Sequence, residues 1–370
     1  MKKIVFIRAT NIYNDSRATK EIFALAEAGY NITVLGWNRN GEAEEGCNKL
    51  FFDIQDQVEC RFYNQKLEKG IGLKNIGKLL KWFKWIKKSL KTIDGVSIVH
   101  ACDLDSGLPA MKYCKRKKIK FLYDIFDYYI DTHVTIPKLL KNRIEKLEIA
   151  VINRADVTII CTEERREQLL KAKPKEVLVI HNSPQVDELE WVESVWDYAY
   201  CGALNGRRLV EETFLNYEEN KDLSFVFGGY GKYQDMALEL AEKNEKFTFL
   251  GSVPYAEVLK VEQQSRVLSA IYEPITRNHR LCAPNKFYEA LALGKPLIVC
   301  KGTGIDKIVE ENNIGCVIEY NVQEFYRVLR ELKGNPSLCK EMGERARKLY
   351  EEKYKWSIMQ EKLLNCYSKL

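Results

Sequence analysis

The 370-residue chain has no apolar run near the ~18 residues that a membrane-spanning helix needs. Its four histidines, His100, His133, His181 and His279, lie far apart without metal-ligand spacing. Its eleven cysteines are an odd number and include no CxxC pair. That usage points to reduced, buried thiols in a cytoplasmic protein and to no metal centre. The loop after the first strand, ATNIYNDSR, lacks the glycine-rich dinucleotide fingerprint, which argues against a simple Rossmann oxidoreductase. No low-complexity segment or short-period repeat is present. The opening MKKIVFIRAT is too short and too soon interrupted for a signal peptide and reads as a strand.

Hydrophobic residues at 46% and charged residues at 30% are those of a globular protein, and the length suits two domains. The net charge of +6 is concentrated in one place. Residues 74–91, KNIGKLLKWFKWIKKSLK, hold seven lysines and no acid, so the remainder is close to neutral. Ile76, Leu79, Leu80, Phe83, Ile86 and Leu90 follow helical spacing, with Trp82 and Trp85 at the flanks. An apolar face, boundary tryptophans and a lysine face describe a helix lying on an anionic membrane surface, with Lys81, Trp82, Phe83, Lys84, Trp85 and Lys88 at the contact. The competing readings are a core-packed helix with a solvated lysine face, and a nucleic-acid patch. No base-reading module accompanies the lysines, so nucleic acid is not expected.

Along the chain, short apolar strands alternate with helical patterns. The first series is strand Lys2–Arg8, helix Ala18–Ala28 closed by Gly29, and strand Ile32–Leu35. This order implies a parallel sheet. Further strands are expected at Phe51–Phe52, Cys60–Tyr63, Val96–His100, Phe121–Asp124, Val157–Cys161 and Val177–Ile180, with a helix at Glu163–Lys171. Ligands sit outside the carboxyl ends of such strands, which makes His100, Asp103, Asp124, Asp127 and His133 candidates for one side of a cleft. Strand-end capping is the competing reading for each. An acidic crossover at 185–197 marks a domain boundary, and a second β–α series follows.

In that second series the run Leu281–Cys300, LCAPNKFYEALALGKPLIVC, reads as a helix and a buried strand. Pro284 suits a first helical turn, and Gly294 and Pro296 end the helix. Its amino terminus at Pro284, Asn285 and Lys286 is a ready anion site, because free N–H groups and the helix dipole point at the ligand. Glu289 is a carboxylate inside an apolar helix, one turn further in, where it can accept hydrogen bonds from ligand hydroxyls. Anion plus hydroxyls describes a nucleoside diphosphate. A surface helix with solvated Lys and Glu is the alternative.

Taken together, DSRATKEIFALAEAGYNITVLG, HACD, FLYDIFDYY, INRADVTIICTE, VIHNSP, YCGALNGRR, FGGYG, FLGSVP, YEPITRN, PNKFYEALALGKPLIV and the YKWSIMQEKLLNCYSKL tail resemble the family 4 glycosyltransferases over nearly the whole chain. The resemblance implies an α/β GT-B fold: two facing Rossmann-like domains with a central cleft. It implies an acceptor-binding domain at 1–187, a nucleotide-sugar-binding domain at 195–350 and a helix at 351–370 returning to the first domain. The implied activity is metal-independent, retaining transfer of a sugar from a nucleotide-diphosphate donor, with uridine favoured over guanosine on family grounds and no further cofactor. Glu289 matches the glutamate on the ribose hydroxyls and Arg208 the basic residue on the diphosphate. Gly229 and Gly231 belong to a loop near the nucleotide. Pro284, Asn285 and Lys286 form the helix start facing the phosphates, and Arg208, Lys286 and Asp127 are the catalytic candidates.

The chain also departs from the family. Leu281 stands where many relatives carry a glutamate on the donor sugar. Ala203 stands where many carry a basic residue, for which Arg207 is a substitute. Phe126 stands where many have a histidine. The reading is therefore a cytoplasmic, peripheral-membrane glycosyltransferase acting on a saccharide or lipid-linked saccharide in cell-surface polysaccharide synthesis. The rival, supported by Leu281, Ala203 and Phe126, is a catalytically inactive partner subunit with the same fold. A sugar-nucleotide epimerase is a third reading, which leaves the basic helix without a role.

Overall fold

The computed structural model describes residues 2–66, 76–132 and 136–370. The chain forms two compact units, residues 1–181 with 359–370 and residues 182–358.

Unit 1 is built on strands β1 (Lys3–Arg8), β2 (Asn31–Asn38), β3 (Val58–Asn64), β4 (Val96–Cys102), β5 (Lys120–Ile125), β6 (Val157–Ile160) and β7 (Val177–Val179). Their order is β3-β2-β1-β4-β5-β6-β7, and every neighbouring pair is parallel. Such a sheet is covered on both faces, so its strands are near-continuous apolar runs such as IVFI in β1. The strand order reverses at β1/β4, where a crevice opens at the carboxyl ends.

Unit 2 repeats the design with β8 (Trp196–Ala203), β9 (Phe225–Tyr230), β10 (Phe247–Phe249), β11 (Ser265–Ala270), β12 (Leu297–Cys300) and β13 (Gly315–Ile318). The order is β10-β9-β8-β11-β12-β13, again parallel throughout, with its reversal at β8/β11. Aromatic rings dominate this core: Phe214, Tyr217, Phe225, Phe227 and Phe247 pack edge-to-face, tilted or stacked at centroid distances of 4.8–6.4 Å.

The unit boundary falls after His181, ahead of the acidic crossover that the composition marks. The crossover is tied to unit 2. Asn182 Nδ2 donates to Ala283 O (2.9 Å), Tyr350 Oη to Pro184 O (2.7 Å), and Arg347 to the carbonyls of Val186 and Asp187 (3.2 and 3.0 Å). The second boundary passes through the last helix, Trp356–Ser368, whose residues from Met359 belong to unit 1.

Two expected elements differ. Phe51 and Phe52 are not strand; they follow a helix, Ala43–Leu50, in a 3-10 turn. Glu44 and Glu45 in its first turn and Lys49 in its last complement the helix dipole, while Phe52 projects into solvent. The helix expected at Glu163–Lys171 is a 3-10 segment, Glu164–Leu169.

The basic helix is Ile76–Thr92; Lys74 and Asn75 lie outside the described residues. Trp82 is not at a boundary. It is fully buried, stacked between Trp37 of β2 (5.4 Å) and Trp85 (5.3 Å), with Ile86 and Leu90 beside it in the core. A large indole facing a sheet buries more surface than one at a rim, and Trp37 supplies its partner. Lys81, Lys84, Lys87 and Lys88 remain exposed, as do Ile76 and Leu80, and Phe83 and Trp85 are half-buried. Among the described residues no helix is long and apolar enough to cross a membrane.

Candidate functional site

In unit 2 the residues singled out from sequence gather at the β8/β11 reversal. Lys286, in the first turn of helix Asn285–Ala292, lays its ammonium over the ring of Tyr200 at 4.7 Å. The space it occupies is the one a side chain at Gly202 would fill: a Cβ there would lie 2.6 Å from Lys286 Nζ. Arg208 stands over the ring of Tyr272 at 5.1 Å. Burial works against the Lys286 charge, but Tyr200, Glu289 and Glu262 outweigh it and hold the ammonium more basic than usual. Both cations stay fully charged at neutral pH.

The helix starts as an open N-terminus. Pro284 is its N-cap, one position outside the first turn, with extended backbone (φ −70°, ψ 137°). No side chain caps the helix and no acid lies in its first turn. The neighbouring strand carries FGGYG. Gly229 (φ +128°) pairs with Gly202 across β8/β9, and a Cβ on Gly229 would overlap Gly202 O at 1.8 Å. Gly231 (φ +152°) lies as tightly against Leu204 O. Backbone therefore lines the carboxyl ends of both strands.

Glu289 sits one turn inward from Lys286, 3% exposed. Tyr255 and the buried Glu262 lie beside it. Burial and Glu289 push the Glu262 carboxyl well up. The exposed Arg207 (φ +67°) takes another course, 3.9 Å from Glu273, and does not join Arg208. Asn285 is exposed.

The sequence did not single out Tyr200, Tyr272, Tyr255 or Glu262. The tyrosines read as strand and helix core residues. Glu262, a carboxylate within the apolar pattern of Tyr255–Gln263, is a signal of the same kind as Glu289.

In unit 1 the expected acceptor-side residues divide. His100 and Asp124 are fully buried, so neither is open to a substrate here; they belong to an ion network with Arg17 and Glu21. The cause is strand alternation. His100 and Cys102 face the side of the sheet that helix Ser16–Glu27 covers, and Asp124 pairs in register with Cys102. Asp103 lies at the β1/β4 reversal in a left-handed backbone conformation (φ +59°). Its Oδ1 accepts from the backbone N–H groups of Phe126 (2.9 Å) and Asp127 (3.1 Å), and its Oδ2 binds Arg8. Burial pushes the Asp103 carboxyl up to about 6, against the pull of Arg8. Phe126 has Arg8 at 3.9 Å and Arg17 at 4.6 Å from its ring centroid. Asp127 is exposed and pairs with Arg165 at 3.4 Å. His133 lies outside the described residues.

Two family models match the chain: Glycosyltransferase Family 4 over residues 21–187, and Glycosyl transferases group 1 over residues 206–349. A spore coat protein SA of Bacillus subtilis is 25% identical over 166 residues, 41% of this chain and 42% of that protein, so the match spans under half of that relative. Among solved structures, a sucrose-phosphate synthase from Thermosynechococcus elongatus superposes with a TM-score of 0.72 at 14% identity, over 100% of this chain and 99% of that one. Anabaena HepE in complex with UDP and glucose gives 0.71 at 13% identity over 100% of both chains.

Proposed function

The chain belongs to the family 4 glycosyltransferases and has the GT-B fold, and on that premise we propose that it transfers a sugar from a nucleotide-diphosphate donor to a saccharide acceptor. The observation that carries this reading is the cation pair of unit 2: Lys286, in the first turn of an uncapped helix, seated in the space at Gly202, and Arg208 over Tyr272.

Cleaving a sugar–phosphate bond develops negative charge on the leaving diphosphate. Arg208, Lys286 and the free N–H groups after Pro284 are fixed positive ends for that charge, and they need no reorganisation when it forms. Glu289 is assigned to the ribose hydroxyls. The backbone at Gly229 and Gly231 lets a nucleotide approach closely. In a retaining, front-face transfer the departing phosphate oxygen takes the acceptor's proton, which leaves no obligatory protein base. The solved structures with UDP, including HepE, support a uridine nucleotide. On the acceptor side, Asp103 and Asp127 keep exposed surface, whereas His100 and Asp124 do not. The acceptor is assigned to the saccharide or lipid-linked saccharide class. The exposed Lys81, Lys84, Lys87 and Lys88 supply an anionic-membrane contact of electrostatic character.

The test is thermal unfolding with UDP, GDP, ADP and their sugar conjugates, on wild type and Glu289→Ala. A ligand at 100 times its dissociation constant adds ~2.7 kcal/mol. Stabilisation by a uridine diphosphate sugar, lost in the variant, together with release of UDP in the presence of acceptor, is expected. Binding without sugar transfer or donor hydrolysis would identify the inactive partner subunit instead. Retention on anionic vesicles should fall when the four lysines become glutamates; unchanged retention removes the membrane contact from the reading.

A further inference from the structure

Three side chains of unit 1 each have one polar atom held and one left open. Arg17 Nε binds Glu21 Oε1 (3.1 Å), an Arg17 terminal nitrogen binds Asp124 Oδ1 (2.5 Å), and His100 Nδ1 meets the Tyr367 hydroxyl (2.7 Å). The second atom of each, Glu21 Oε2, Asp124 Oδ2 and His100 Nε2, is buried and has no hydrogen-bond partner. Two of these open atoms flank the third: His100 Nε2 is 3.5 Å from Asp124 Oδ2 and 3.7 Å from Glu21 Oε2. Cys102 joins them, since donor atoms of His100, Cys102 and Asp124 all lie within 4.8 Å of one another. All four residues are fully buried.

We propose that His100, Cys102 and Asp124 hold a structural zinc, with Glu21, 3.7 Å from His100 Nε2, closing on it as the fourth ligand. A tetrahedral zinc with bonds of about 2.1 Å to nitrogen and oxygen places those ligand atoms roughly 3.4 Å apart. The spacing here matches that edge, and it exceeds the 2.7–3.2 Å of an ordinary N–H···O bond. A mixed nitrogen, oxygen and sulfur set selects zinc over magnesium or calcium, which take oxygen ligands. The surroundings are those of a metal centre. Arg17 orients both carboxylates through their far oxygens, and in the tautomer that offers Nε2 to a metal, His100 Nδ1–H donates to the Tyr367 hydroxyl.

The charge balance also fits. Two carboxylates against one guanidinium leave one net negative charge, and a divalent cation with the Cys102 thiolate brings the sum to zero. Buried charge without compensation is costly. Bound zinc deprotonates a ligating thiol outright. The site is closed to solvent and has four protein ligands, so it acts on the fold, not on the sugar transfer, whose expected metal independence concerns the diphosphate in unit 2. It joins helix Ser16–Glu27, β4 and β5, and through Tyr367 the last helix.

The test uses the full chain and zinc alone. Elemental analysis of the purified protein, then of chelator-stripped protein re-equilibrated with zinc and desalted, is expected to give close to one zinc per chain, with a raised unfolding temperature. Cobalt(II) in its place is expected to show a thiolate-to-cobalt charge-transfer band. Cys102→Ser removes the band, His100→Gln removes bound metal, and Tyr367→Phe weakens zinc binding by about 10–100-fold. Trace metal in both preparations overturns the proposal and leaves a buried water or a proton shared from His100. A cobalt complex without the thiolate band overturns it as well, as does undiminished zinc in folded His100→Gln. If the variants do not fold, the wild-type zinc content and cobalt band decide.

Discussion

The two units place ionised side chains at equivalent reversals of their parallel sheets, and they balance them in opposite ways. In unit 1 the Arg17 guanidinium lies between the carboxylates of Glu21 and Asp124, all at 4% exposure or less. One guanidinium there serves two carboxylates inside the fold. In unit 2 Arg208 and Lys286 face the rings of Tyr272 and Tyr200, and among the described residues neither makes a carboxylate ion pair. Aromatic faces favour a cation without neutralising it. A closed network holds structure, whereas positive charge left open at a helix start awaits an anion.

Arg17→Met attacks the closed network and should have the largest effect. Two carboxylates lose their shared cation, and breaking a buried pair costs about 3–5 kcal/mol. Urea unfolding monitored by circular dichroism reads this directly; a loss under ~1 kcal/mol would mean that the network is not balanced by Arg17. Lys286→Ala attacks the open site. By analogy with removal of one oxyanion donor, turnover should fall about 10²–10³-fold, with the unfolding midpoint little changed. A large stability loss at unchanged turnover would reverse the contrast between the units.

A third experiment sharpens the unit 1 side through pH. Glu148 is fully buried and accepts from Tyr123 Oη (3.0 Å) and Tyr129 N (3.1 Å). Burial pushes its carboxyl up to about 8, against those hydrogen bonds. The unfolded value is about 4.3, so the folded state holds this proton more tightly. Its contribution to stability is present below pH ~4.3 and is lost as pH rises from there through about 8. Unfolding free energies measured across that window should decline less steeply in Glu148→Gln than in wild type. An unchanged slope would show that Glu148 ionises normally. The smallest effect is expected from Gly202→Ala. Its Cβ would displace the far end of Lys286, a flexible chain, and leave the backbone alone. Nucleotide affinity should weaken about tenfold, or about 1.4 kcal/mol, with the fold intact by circular dichroism.

The alternation of apolar strand and amphipathic helix made the doubly wound sheets legible, because a buried parallel strand and a half-buried helix leave different periods. The helix start at Pro284–Lys286 was legible for a local reason: Pro, Asn and Lys in succession encode an uncapped, basic N-terminus within three residues. The Lys286 seat at Gly202 was not, because 84 positions separate the residues and only the β8 register brings them together. The cluster of His100, Cys102 and Asp124 escaped for the same reason. Spacing reveals ligands within one turn or loop, and here one ligand pair alternates along a strand while the other partners arrive from a neighbouring strand and a helix. Trp82 misled because amphipathic spacing does not say which rim of the stripe meets a sheet; Trp37 decided that.

The hydrogen bond between His100 and Tyr367 joins residues 267 positions apart. Protein is made from the N-terminus at about 5–20 residues per second. After His181 completes the continuous part of unit 1, the intervening 182–358 takes roughly ten to forty seconds to make at that pace. During that interval the first seven strands exist without their last helix, and His100 Nδ1 is without the hydroxyl that fixes it. Unit 2 carries no such debt to later sequence, so the order of synthesis favours the second unit finishing before the first.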